Sequence, residues 1–82
     1  MVFKYRPTVL DQLAGHGLEP GPETSPEFVR EFLSDLYLVE IRLLKARLLS
    51  GEFPADQYSK RVAQLRDRYP LLGLPIRFWT GD

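Results

Sequence analysis

The chain has 82 residues, no cysteine, and 11 acidic and 11 basic side chains. A chain of this length forms one domain and buries only about 60–65% of its unfolded surface, so its own core gives limited stability. Without cysteine, neither disulfides nor thiolate metal sites add to that stability. We therefore expect self-association to supply additional stability. Residues 1–7 lack the apolar segment of a signal peptide, which together with the missing cysteines favours a cytoplasmic location.

The N-terminal part predicts a short helix followed by a linker. Residues 7–14 predict the helix, because Pro7 suits a first turn and the apolar residues share one side. Residues 15–25 are rich in proline and glycine, which indicates a stiff linker without regular structure. His16, the only histidine, is expected to be an exposed loop residue. A catalytic or metal-binding role for it is the alternative, although only carboxylates are available to complete a metal site.

Residues 26–50 predict one long helix around which the rest of the chain is arranged. Ser25 is a preferred N-cap, Pro26 suits the first turn, and Gly51 suits the residue that ends a helix. About 25 residues make a rod of roughly 37 Å. Its apolar side chains fill an arc of roughly 220°, so we expect cover on at least two sides. Its charges and short apolar runs exclude a membrane span.

Two charged residues of this helix, Glu40 and Arg47, fall inside the apolar arc. A buried carboxylate is costly unless it is paired. We therefore expect these side chains to lie at the edge of the arc or to pair with Arg61 or Arg66. A polar device that fixes the register of a helix pair is an alternative, and catalysis is another.

Residues 54–69 predict a third helix, with Pro54 in its first turn and its end just before Pro70. The short turn that precedes it makes the two helices antiparallel neighbours. Its apolar residues follow at spacings of four, three and four, and they are Tyr58, Val62, Leu65 and Tyr69. We predict that this stripe packs on the C-terminal half of the long helix, against residues such as Tyr37, Ile41, Leu44 and Leu48.

Residues 43–65 combine leucines, a glycine turn at Gly51, the apolar Phe53, acidic residues, the aromatic Tyr58, and then basic residues and a leucine. This order resembles a short C-terminal (SHOCT-type) helical hairpin. Pro54 stands where that family usually has serine or threonine, so the side-chain cap of the second helix is missing. The resemblance covers about a quarter of the chain and implies a role in oligomerisation, and in some cases contact with nucleic acid.

Residues 70–82 form a strongly apolar tail with the only tryptophan, Trp79. In one interpretation the tail folds back and Trp79 caps the core. In the other, Trp79 anchors a partner, because tryptophan is frequent among the residues that dominate binding energy. Residues 76–79 also alternate sufficiently to pair with the extended, aromatic residues 2–5.

Charge is distributed unevenly along the chain. Residues 1–40 hold three basic and seven acidic side chains, a net charge of −4, whereas residues 41–82 hold eight basic and four acidic ones, a net charge of +4. This asymmetry is explained partly by the dipole of the long helix and partly by antiparallel self-complementarity. Clustered basic residues are also typical of nucleic-acid binding. The candidate basic face consists of Arg42, Lys45, Arg61 and Arg66.

The sequence therefore predicts a mainly α-helical domain: a short helix, a linker, an antiparallel hairpin with one long helix, and an apolar tail. We expect a non-catalytic interaction or assembly module that acts as a homodimer or binds an unknown protein partner. We expect no cofactor, no metal and no membrane association. The candidate interface consists of Phe28, Phe32, Leu36 and Trp79. The alternative is a nucleic-acid-associated accessory protein, although the spread of positive charge around two helices argues against tight binding. A small enzyme subunit that uses Glu40, His16 and tyrosines is a third hypothesis, for which no catalytic constellation is visible.

Overall fold

The computed structural model describes residues 2–81. It contains three α-helices: α1 (Pro7–Gly15), α2 (Pro26–Leu49) and α3 (Tyr58–Arg66). Short 3-10 helices follow the turn after α2 and form much of the C-terminal part, at Ala55–Gln57, Pro70–Gly73 and Ile76–Phe78. Within the described residues there is no strand, and a single antiparallel bridge joins Tyr5 to Thr80. The prediction of a mainly helical protein is confirmed.

Local chemistry at both ends explains the bounds of α2. The Ser25 hydroxyl accepts a hydrogen bond from the Phe28 amide at 3.2 Å, which satisfies one of the unpaired donors of the first turn. Pro26 occupies the first turn, where its missing N–H is not needed. Gly51 has a φ of 80°, a left-handed conformation that favours glycine. The helix ends at Leu49, one residue before the predicted end.

The third helix is shorter than predicted, because it begins at Tyr58 and ends at Arg66 rather than spanning residues 54–69. No side chain caps its N-terminus, and the chain enters it through the 3-10 turn of Ala55–Gln57. At the other end Tyr69 adopts φ −124° and ψ 51°, outside the helical region. Steric contact with the ring of Pro70 disfavours a helical conformation at the residue before it, so the helix does not continue through Tyr69.

The N-terminal arm and the linker are tied to each other. The Phe3 amide donates to the Pro22 carbonyl at 2.7 Å, and the Tyr5 hydroxyl donates to the Thr24 carbonyl at 2.5 Å. Burial, together with the charge of Glu27, raises the pKa of Tyr5. The linker that follows α1 is thus fixed against the start of the chain, close to the first turn of α2.

The tail folds back and buries Trp79 completely, with 0% of its surface exposed. The indole Nε1–H donates to the Leu74 carbonyl at 3.0 Å, and the Trp79 carbonyl accepts from the Arg6 amide at 3.0 Å. Trp79 thus lies in the core of its own chain, where it is not exposed to a partner, and its place in the candidate interface stays a prediction that this burial does not support. Residues 76–78 form a 3-10 helix instead of pairing with residues 2–5, so contact with the arm is reduced to the bridge between Tyr5 and Thr80.

The core follows one side of α2, with α1 and the tail near its N-terminal half and α3 near its C-terminal half. Leu65 is buried, as the apolar stripe of the third helix predicts. The buried side chains of this core are Val9, Leu13, Val29, Leu33, Leu44, Phe53, Leu65, Tyr69, Leu71 and Trp79. The molecule measures 48 × 17 × 16 Å, with a radius of gyration of 15.2 Å. A compact chain of this length has a radius of gyration of about 12 Å, so the long helix makes the protein rod-like.

Candidate interaction surface

A continuous row of apolar side chains lies on α2 next to the side of the helix that packs in the core. We call this row the outer stripe; its members are Phe28, Phe32, Leu36, Val39 and Leu43. Phe28 is 64% exposed, Phe32 51%, Val39 48% and Leu43 60%, whereas Leu36 is half-buried. The spacing of four, four, three and four residues keeps the row on one face of a nearly straight helix, because the pattern repeats after 11 residues.

The outer stripe is uncovered because the rest of the chain covers only the adjacent side of α2. Val29, Leu33 and Leu44 lie on that adjacent side and are buried among α1, the tail and α3, and Leu36 at the border packs against them. The predicted apolar arc of α2 spans two sides, and one chain supplies cover for one of them. Phe28, Phe32 and Leu36 of the candidate interface thus lie in one row. Val39 and Leu43 belong to the same row, and the 11-residue spacing is the sequence signal that relates them to Phe28 and Phe32.

The two halves of the outer stripe differ in shape. Near the N-terminus of α2, Phe28 and Phe32 stand beside a shallow depression formed with Leu18 and Pro20 of the linker. Near the C-terminus, α2 forms one wall of a groove whose other wall comes from α1, the residue that follows it, and the chain after α3. We call this the C-terminal groove; it is lined chiefly by Leu36, Val39 and Leu43 on one side and by Gln12, His16 and Tyr69 on the other.

A polar cluster forms part of the wall of this groove. The Tyr69 hydroxyl donates a hydrogen bond to the Glu40 carboxylate, and the Arg68 guanidinium donates to the same carboxylate at 3.4 Å. The His16 ring stacks on the Tyr69 ring, with centroids 4.4 Å apart, and its Nε2–H donates to the Arg68 carbonyl at 2.8 Å. Glu40 is therefore paired, but the predicted partners Arg61 and Arg66 are wrong.

The expectation that His16 is merely an exposed loop residue is also wrong. Its ring is half-buried, because it lies between the end of α1 and Tyr69. No local sequence signal relates residue 16 to residues 68 and 69, since the contact forms only when α1 folds onto α2. For Glu40 a signal does exist: a carboxylate within an apolar arc requires a partner.

The environment of Tyr69 keeps its hydroxyl protonated. Burial, followed by the hydrogen bond and charge of Glu40, raises the pKa of Tyr69 to about 12, while the positive charge of Arg68 opposes this rise. At neutral pH the Tyr69 hydroxyl is thus protonated, donates a hydrogen bond and is poorly suited to act as a general base. The hydrogen bonds of the cluster connect the end of α1, the middle of α2 and the chain after α3.

Unlike charges border the outer stripe along one edge. Glu31 and Asp35 lie beside its N-terminal half, and Arg42 lies beside its C-terminal half, if successive residues are placed about 100° apart around the helix. All three side chains belong to exposed residues. Within residues 2–81 neither Glu31 nor Arg42 forms an ion pair. These charges are therefore available to a partner.

The candidate basic face is not a single patch. Arg42 and Lys45 lie on the exposed surface of α2, and Arg66 is exposed on α3. The Arg61 guanidinium instead stacks on the Phe53 ring, 4.2 Å from its centroid, and donates to the Gln57 side chain at 3.4 Å.

The arginines that do converge, in a cleft between α2 and α3, are Arg47, Arg61 and Arg68. Arg47 pairs with Glu52 at 2.5 Å and Arg68 pairs with Glu40, so two of these three positive charges are offset by carboxylates.

The chain matches no protein-family model, no curated protein and no solved structure. The resemblance of residues 43–65 to a SHOCT-type hairpin therefore stays a prediction. Among the described residues, no three histidine, cysteine or carboxylate side chains are grouped so that they would hold a metal ion. Residues 2–81 also include no helix with the length and apolar character needed to cross a membrane.

Proposed function

We propose that this chain is a non-catalytic assembly module that forms a homodimer through the outer stripe of α2. The observation that carries the proposal is the pair of exposed phenylalanines, Phe28 and Phe32, in line with Val39 and Leu43 on a helix whose other side is already packed. Large apolar side chains in a continuous exposed row mark interaction surfaces, whereas isolated ones are ordinary. A second copy is the occupant that carries a matching stripe.

The size of the stripe supports this proposal. Its four exposed side chains present on the order of 400 Å² of apolar surface per copy, taking roughly 200 Å² for a complete aromatic side chain. A stable interface buries about 800 Å² per partner, with an apolar centre and a polar rim. The stripe therefore supplies the apolar centre, and its bordering charges supply part of the rim. The resemblance of residues 43–65 to hairpins that oligomerise is consistent with this role.

A charge in the stripe tests the proposal. We expect light scattering at tens of micromolar to give the wild-type protein a mass of twice the 9.5 kDa of one chain. Phe32→Glu places a carboxylate in the shared apolar surface, where it has no partner, and is expected to give a mass of one chain with unchanged helicity.

The matched control is Leu49→Glu. Leu49 is 78% exposed on the same helix but lies away from the stripe, so this variant is expected to remain dimeric. A fully helical wild-type protein with the mass of one chain at these concentrations contradicts the proposal.

A further inference from the structure

We infer that the two copies pair antiparallel, with the two-fold axis beside Leu36, so that Phe28 and Phe32 of each copy enter the C-terminal groove of the other. This inference rests on the proposed homodimer and specifies its geometry. Its first support is that the two halves of the outer stripe are complementary in shape. Phe28 and Phe32 are large exposed aromatic side chains, and Val39 and Leu43, which are exposed to a similar degree, border a groove together with Leu36.

Symmetry turns this complementarity into a specific register. If two α2 helices lie antiparallel with Leu36 near the axis, Phe28 of one copy lies opposite Leu43 of the other, and Phe32 lies opposite Val39. A two-fold interface repeats each contact, so both grooves are filled at once. In a parallel pair the two Phe28 side chains would lie at the same level along the helices, and so would the two grooves, without an aromatic side chain to enter them.

The charges beside the stripe favour the same register. In the antiparallel pair Arg42 lies at the level of Val29 of the other copy, which is two residues, or about 3 Å, from Glu31 along the helix axis. Both residues border the same edge of the stripe, and the corresponding edges of the two copies meet. Each copy thus offers an arginine to the other's glutamate. A parallel two-fold pair brings this edge of one copy next to the opposite edge of the other, so Arg42 and Glu31 of the two copies would not meet.

The absence of cysteine allows a direct test by disulfide cross-linking of single-cysteine variants. A disulfide requires Cα atoms about 4.4–6.8 Å apart. Near the axis, Leu36→Cys is expected to link to itself. Residues 28 and 43 are separated by about 22 Å of helix, so Leu43→Cys alone is expected not to link. A mixture of Phe28→Cys and Leu43→Cys is expected to give the mixed disulfide.

The outcomes separate this inference from the proposal beneath it. A wild-type protein that is monomeric by light scattering overturns both. A dimeric wild-type protein in which Leu43→Cys links efficiently to itself overturns the antiparallel register and leaves the homodimer in place. A dimeric protein in which neither Leu36→Cys nor the mixture forms a disulfide likewise overturns the register. Leu49→Cys, away from the stripe, serves as the control for random collision.

Discussion

Replacing Tyr69 with phenylalanine removes one oxygen atom from a buried tyrosine that joins three parts of the chain. The ring keeps its contacts with His16 and with Tyr37, whose centroid lies 5.2 Å away. The hydrogen bond to Glu40 is lost. A hydrogen bond to a charged group contributes about 1.5–3 kcal/mol. Because 32% of the Glu40 side chain is exposed and water replaces part of that bond, we expect Tyr69→Phe to lower the free energy of unfolding by about 1–2 kcal/mol at pH 7.

The pH dependence gives the more specific result. The pKa of Tyr69 is about 12 in the folded protein, above its usual value near 10. The unfolded chain therefore releases this proton first as the pH rises. The contribution of protonated Tyr69 to the free energy of unfolding is present in full below pH 10 and is lost between pH 10 and 12. It amounts to about 2–3 kcal/mol. Tyr69→Phe lacks this component, so its stability should fall less steeply over that range.

Urea denaturation from pH 7 to 11.5, followed by far-UV circular dichroism, measures both effects. Tyr58→Phe is the control, because Tyr58 is a half-buried tyrosine packed against the same core. The raised pKa of Tyr5 affects all variants alike and cancels in the comparison. If Tyr69→Phe matches the wild-type protein at pH 7 and shows the same alkaline slope, the hydrogen bond to Glu40 does not stabilise the fold.

Two further predictions concern the core and the basic residues. Leu65→Ala should lower the free energy of unfolding by about 2–5 kcal/mol, because Leu65 is buried where α3 meets α2. The control Leu49→Ala should change it by less than about 0.5 kcal/mol. Equal losses for the two variants in urea denaturation would show that α3 is not held by this contact. Fluorescence anisotropy should show no micromolar binding of duplex or single-stranded nucleic acid near physiological salt, since Arg47 and Arg68 are paired with carboxylates. Binding that is tight and falls steeply as salt rises would instead favour the nucleic-acid hypothesis.

The sequence predicts those features of the fold that depend on local chemistry. Ser25, Pro26 and Gly51 define the ends of α2, because capping and left-handed backbone are properties of single residues and their immediate neighbours. Pro70 accounts in the same way for the non-helical backbone of Tyr69, whereas α3 already ends at Arg66. The contact between His16 and Tyr69 is different in kind, since residues far apart in sequence meet only through the packing of α1 on α2.

The position of Trp79 shows why the candidate interface was only partly predictable. Composition makes tryptophan a good anchor either for a core or for a partner, and the choice depends on whether the tail reaches the core. Here the Leu74 carbonyl and the Arg6 amide fix the tryptophan inside. Once the tail and α1 cover Val29 and Leu33, they leave the other side of α2 uncovered.

Stability and assembly are connected through the polar cluster. Tyr69 is part of the core, and the same residue forms a wall of the C-terminal groove together with His16. The Glu40 carboxylate on α2 accepts a hydrogen bond from the Tyr69 hydroxyl, so this bond joins the two walls of the groove. In the proposed homodimer, walls that are already joined would lower the cost of ordering the groove when Phe28 and Phe32 of the second copy bind. Glu40, a carboxylate within the apolar arc, is paired inside its own chain, and in the proposed homodimer it would also shape the surface that receives the second copy.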